Sequence, residues 1–246
     1  MWDRGILKSN AKLALKGKYW AALGVCIVAT LISGAFSLAT LRFTLNSQAM
    51  MRDIAANYEA IQAQAGMSNM ISIGGLIFAV FVAFPLGVGL CRYFVQNHFG
   101  VTRFDTLFSG FRHSYLNQVG AMFVTYLFIS LWSILLIIPG IIKALQYSMV
   151  PFILADNPDM PGSRAREISR LMTNGEKGAI FVLGLSFIGW YLLGTLLFVV
   201  GTLFVQPYYM ATFGELYIFL RDRAIQTNQV NPAELGLIAP APVTTL

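Results

Sequence analysis

Charge is what this chain has least of. Only 11% of its 246 residues are Asp, Glu, Lys or Arg, against about a quarter in a soluble globular domain, which excludes an ordinary water-solvated surface. Cysteine is nearly absent, and Cys26 and Cys91 each fall inside an apolar stretch, as small buried hydrophobes rather than a disulfide or metal pair. The two histidines, His98 and His113, have no cysteine or carboxylate cluster beside them and read as interfacial polar residues rather than metal ligands or pH sensors. Also missing are a Gly-rich phosphate loop with its Lys, His-Glu-x-x-His, Cys-x-x-Cys, and a histidine inside an apolar span to act as base for a serine. That inventory argues against an enzyme and implies neither cofactor nor metal.

What is abundant is apolar: 57% of residues are hydrophobic and mean hydropathy is +0.65. Such a chain uses lipid as part of its solvent. The net charge of +6 does not point to nucleic acid, because the seventeen Lys and Arg residues are dispersed among apolar spans. The expected partners are the lipid bilayer and its anionic lipids.

The expected fold is all-α, a polytopic transmembrane helix bundle of about six spans with an N-terminal amphipathic interfacial helix. Residues 1–18 carry Arg4, Lys8, Lys12 and Lys16 at four-residue spacing, with Leu7, Ala11, Ala14 and Leu15 on another face. This segment suits an anionic cytoplasmic leaflet, and the apolar spans that follow it distinguish it from a cleavable signal. Residues 19–41 form the first span, with Tyr19 and Trp20 at belt position, and the near-neutral loop 42–69 belongs outside. In the second span, 70–91, Gly75, Ala79, Ala83 and Gly87 recur every four residues as a helix-packing seam, or more sharply a homo-oligomer seam, and Pro85 introduces a kink. Residues 92–118 are a basic, Phe-rich interfacial segment, and 119–138 are the third span.

Everything downstream depends on Pro139-Gly140. If the pair is a hairpin turn, 140–155 is a short fourth span, 178–200 and 203–220 are the last two, and the domain of 19–223 keeps both termini inside. Fourteen of seventeen basic residues are then cytoplasmic, with only Arg42, Arg52 and Lys143 outside; a mere kink divides the charges evenly and strands Lys143 in a span. The positive-inside rule favours the turn. Sixteen residues rise only about 24 Å, short of a hydrocarbon core of about 30 Å. Between 156 and 177, a capped helix to about Asn174 sets Ala165, Ile168, Leu171 and Met172 opposite Arg166 and Arg170, while Asp156 and Asp159 are turn and cap residues. Residues 224–246, with Pro232, Pro240 and Pro242, read as a flexible cytoplasmic tail.

Several runs carry a family likeness: Ile138-Pro139-Gly140-Ile141-Ile142-Lys143, Tyr147-Ser148-Met149, Ile153-Leu154-Ala155-Asp156-Asn157-Pro158, Leu185-Ser186-Phe187-Ile188-Gly189-Trp190, Pro207-Tyr208-Tyr209 and Glu215-Leu216-Tyr217. With Met1-Trp2, Leu15-Lys16-Gly17 and Tyr19-Trp20, the chain to about Arg223 resembles the bacterial integral-membrane family catalogued as domain of unknown function 975. The resemblance implies a multi-pass membrane protein and no activity.

Two readings of function remain. The first is a non-enzymatic membrane scaffold or adaptor, with Arg4, Lys8, Lys12, Lys16, Arg164, Arg166 and Arg170 contacting anionic lipid or a membrane or cytoplasmic protein. The second is a small transporter or channel-like protein whose fourth and sixth spans line a path with Gln146, Tyr147, Ser148, Gln206, Tyr208 and Tyr209, and with Glu215 as proton or cation site. Lys143 is too far from Glu215 along its span to pair with it and is expected to snorkel outward; Arg221 or a tyrosine hydroxyl is the expected partner of Glu215.

Overall fold

A computed structural model describes residues 2–33, 74–75, 77–196 and 200–237, and among these every regular element is a helix. The rest of the first span, the loop 42–69, the beginning of the second span and residues 238–246 lie outside the described residues.

Helix α1, Arg4–Leu15, starts where Asp3 Oδ1 accepts from the amides of Gly5 and Ile6, at 2.7 and 3.1 Å. Such a cap is worth about 1 kcal/mol. Leu7, Ala11 and Leu15 form its buried stripe. Gly17, at φ +77°, then turns the chain through a conformation that an L side chain resists, and α2, Tyr19–Ser33, leaves at 96°. α1 does not stand clear of the bundle. It packs along the last helix, with Lys8 Nζ 4.7 Å over the Phe187 ring and Lys12 Nζ 5.7 Å over Tyr208.

After a π turn at Ala79–Ala83, α3 runs over Phe84–His98, with Pro85 in its first turn. It continues seven residues beyond the expected end at Cys91, because Tyr93, Phe94, Val95 and Asn97 are buried against neighbouring elements. A 3-10 turn, Phe104–Phe111, folds back onto α3 at backbone contact: a Cβ on Gly89 would collide with the Leu107 carbonyl, and one on Gly110 with that of Pro85. Among the described residues, the close backbone approach on this helix is at Gly89. Ala83 and Gly87 instead line a cavity of about 390 Å³ with Ala29 and Gln206, Gly75 is half-buried, and the side chain of Ala79 is not described.

Helix α4, Tyr115–Leu135, and α5, Ile137–Gln146, form a tight hairpin. Its turn is Leu136, in extended conformation, three residues ahead of the expected position. Pro139 lies in the first turn of α5, where its missing N–H has no helical acceptor to serve. Gly140 packs directly on Ser133, which is why a side chain would not fit there. α6, Val150–Asp156, continues from α5 after a break at Tyr147–Met149, and the combined segment Ile137–Asp156 is four residues longer than the expected fourth span. α7, Gly162–Met172, closes over that break: Ser169 Oγ donates to the Gln146 carbonyl at 2.7 Å and accepts from the Met149 amide at 3.3 Å. α8, Lys177–Leu185, and α9, Ile188–Leu196, are followed by α10, Val200–Gln226.

Among the described residues, four segments are long and apolar enough to cross a membrane: Val80–His98, Tyr115–Leu135, Ile137–Asp156 and Lys177–Leu196, with a fifth if bent α1 and α2 count as one. The expected six are not all represented among the described residues. Only Tyr19–Ser33 of the first span is described, and α10 is not among the four, since Gln206, Pro207, Tyr208, Tyr209, Thr212 and Glu215 dilute its apolar content. The hairpin and α9 carry exposed large apolar side chains, up to 82% exposure at Ile134 and Leu196. A belt of that size requires a non-aqueous neighbour.

The expectation of a structureless tail fails within the described residues. α10 extends to Gln226, a 3-10 turn follows at Pro232–Leu235 capped by Asn231, and Val230 and Leu235 are buried in the main core. Two apolar anchors and two polar ties, Asn157 Nδ2 to the Glu234 carbonyl at 2.8 Å and Arg164 to the Glu234 carboxylate at 2.8 Å, hold it against α7.

Candidate functional site

The ionisable residues gather at one end of the bundle, where α1 begins, α3, α6 and α10 finish, and α7 lies across. Glu215 is buried and takes a 2.7 Å contact from His98 Nδ1 at the end of α3. Its partner is thus neither Arg221 nor a tyrosine. The pair opens into a pocket of about 340 Å³ shared with Trp2, Asp3, Asn10 and Asp222.

Arg221 serves Asp156 instead. Its Nη1 lies 3.1 Å from Asp156 Oδ2, and the Tyr217 hydroxyl donates to the same oxygen at 2.7 Å, with the Tyr217 ring stacked on Phe152. Asp156 is therefore a clamp between α6 and α10 rather than a loop residue. Nearby, Arg223 pairs with Glu176 at 2.5 Å and donates to the Met172 carbonyl at 3.2 Å, locking the α7–α8 turn to α10. Asn117 Nδ2 donates to the carbonyls of Pro158 and Met160, both at 2.8 Å, and Ser114 donates to Asp159. One signal was available in the sequence: Tyr217 and Arg221 are four residues apart, on one helical face.

The residues expected to line one polar path fall into separate groups. Gln146, Tyr147 and Ser148 stand at the α5–α6 break: the Gln146 carbonyl accepts from Ser169 and Thr173, and Ser148 Oγ donates back to Leu145. Gln206, Tyr208 and Tyr209 face α8, α9 and α1. Tyr191 donates to Gln206 Oε1 at 3.0 Å, and Phe187 meets the rings of both tyrosines at 5.3 Å. Glu215 belongs to neither group.

The expected basic contacts also divide. Lys8, half-buried, and Lys12, exposed, lie over aromatic rings of the bundle, while Arg4 and Lys16 are exposed with no such ring contact among the described residues. Arg164 is engaged by Glu167 at 2.9 Å and Glu234 at 2.8 Å, which holds its guanidinium above the usual arginine value. Arg166 lies 5.6 Å over Phe128 and Arg170 is exposed. These two join Lys143, which does not reach the far end of the bundle but sits between the rings of Trp132 and Tyr147 at 5.4 and 5.8 Å. Lys143, Arg166 and Arg170 line one open cleft of about 420 Å³ between α4, α5 and α7.

A second basic cleft, with Arg92, Arg103, Arg112 and His113, has its own counter-ion. Arg103 and Arg112 reach Asp105 at 3.0 and 3.4 Å, and the Arg103 hydrogen bond holds that carboxyl below the ordinary range.

The model of a family described as a protein of unknown function, DUF975, matches residues 76–224. No curated protein and no solved structure matches.

Proposed function

The chain belongs to that family, and because the family carries no assigned activity we propose from the geometry that this protein is a non-enzymatic membrane scaffold or adaptor. In this reading it is a multi-pass bundle in the cell membrane, with both termini on the cytoplasmic side and anionic lipid or a protein partner held at its basic end. The observation that carries it is the division of cations at that end: Arg164, Arg221 and Arg223 tie helices together, while Arg4, Lys16 and Arg170 remain exposed. Charges of the first kind make a rigid platform; those of the second kind suit an external anionic partner.

The transporter reading has one observation in its favour, the Glu215–His98 contact inside a pocket. The binding of Gln146 and Ser148 to α5 and α7, and of Gln206, Tyr208 and Tyr209 to Tyr191 and Phe187, counts against a single polar path.

The test is quantitative mass spectrometry of proteins that accompany the tagged chain out of its native membrane in lipid-preserving particles. The adaptor reading expects one protein near equimolar amount. Recovery of no such protein, together with a reconstituted solute flux abolished by Glu215→Gln, would replace it with the transporter reading.

A further inference from the structure

We propose that the cleft of Lys143, Arg166 and Arg170 holds the phosphate-bearing headgroup of an anionic membrane lipid; this rests on the membrane-spanning reading above. Among the described residues, no carboxylate pairs with any of the three cations, although Arg103, Arg112, Arg164, Arg221 and Arg223 are all answered by acids. The one acid lining the cleft, Glu167, is drawn off to Arg164 at 2.9 Å. Three cations facing one cavity repel one another, and an anion between them turns repulsion into attraction.

The donor set fits a phosphate. Two guanidinium forks suit its oxygens in pairs, and the Lys143 ammonium supplies a point charge. Gln146, Tyr147 and Ser163 add neutral donors along the wall. Lys143 lies within a segment long and apolar enough to cross a membrane, where an ammonium with no counter-ion among the described residues is disfavoured and marks a site by default. Its position argues for a lipid rather than a soluble anion. The cleft is bordered by Phe128, and the adjoining Leu131 and Trp132 of α4 and Ile142 of α5 are exposed apolar side chains. A headgroup seated on the cations can lay its acyl chains along that belt, which a free phosphate cannot use.

The experiment is native mass spectrometry of the purified full chain in nonionic detergent, supplied with equal phosphatidylglycerol and phosphatidylcholine. Wild type is expected to retain one phosphatidylglycerol with at least tenfold preference. Lys143→Gln with Arg166→Gln should bring that preference near unity, Lys143→Arg should preserve it, and Arg103→Gln with Arg112→Gln, which removes two exposed cations already answered by Asp105, should leave it unchanged. Millimolar inorganic phosphate should not displace the lipid. An undiminished preference in the double variant overturns the proposal, as does an equal loss in the Arg103/Arg112 control, which would mean general charge attraction. Displacement by inorganic phosphate would reassign the cleft to a free anion. Should the double variant not fold, exposed Arg170→Gln carries the test: its preference falls severalfold, and an unchanged preference overturns the assignment. No protein partner is present in this assay, so failure of the adaptor reading is scored separately.

Discussion

Tyr217 and Arg221, one turn apart on α10, both reach Asp156 Oδ2, and the Arg221 side chain is only 6% exposed. Removing one member of such a buried pair leaves an uncompensated charge, so Arg221→Leu should cost about 3–5 kcal/mol. Tyr217→Phe keeps the ring on Phe152 and loses only the hydroxyl's bond to a charged group, about 1.5–3 kcal/mol. Denaturant unfolding in detergent should return the two in that order; equal losses would mean that the Tyr217 hydroxyl holds Asp156 as strongly as the Arg221 ion pair does. The sequence made the candidate groups visible but not their pairing. Asp156 reads as turn chemistry because Asn157 and Pro158 follow it, and Glu215 and His98, separated by 117 positions, share no local pattern. Lys143 was misplaced for a related reason: counting from Pro139-Gly140 put it near the far surface, whereas the turn at Leu136 carries it deeper, beside Trp132.

Helices were the most legible elements, because long apolar runs and a capped amphipathic start need only local rules. Breaks and close approaches were not, because tertiary contacts decide them. The four-residue repeat Gly75, Ala79, Ala83, Gly87 is a true periodicity, yet among the described residues nothing lies within 4 Å of a Cβ built on Gly87, whereas Gly89, outside the repeat, meets the Leu107 backbone. The contrast is measurable. Gly89→Ala should destabilise by about 1–3 kcal/mol or more, since a backbone must shift, while Gly87→Ala should be neutral or stabilise by about 0.5–1 kcal/mol through helix propensity. Thermal melts followed by size-exclusion chromatography would separate them, and a Gly87 variant that melts lower than the Gly89 variant would restore the original seam. Likewise, the tail was read as structureless from its prolines, but Val230 and Leu235 bury enough to fix it. Deleting the residues after Thr227 should therefore lower the melting temperature rather than leave it unchanged.

For the molecule as a whole, composition alone pointed to helices apolar enough to cross a membrane, and the counting of Lys and Arg groups segments that ion pairs and hydrogen bonds tie together in the structure. What local reading could not supply was the packing of α1 along α10, which lays Lys8 and Lys12 over the rings of Phe187 and Tyr208. The account depends on that ion-paired end lying on one side of a bilayer. The most direct measurement is labelling of single cysteines placed at exposed Asp3, Arg112 and Gln226, with a membrane-impermeant maleimide on intact cells; native Cys26 and Cys91 are buried and contribute little background. The prediction is that all three stay unlabelled until the membrane is opened and then react together. Labelling of any one from outside while another requires permeabilisation would contradict the architecture and, with it, the scaffold built on its basic end.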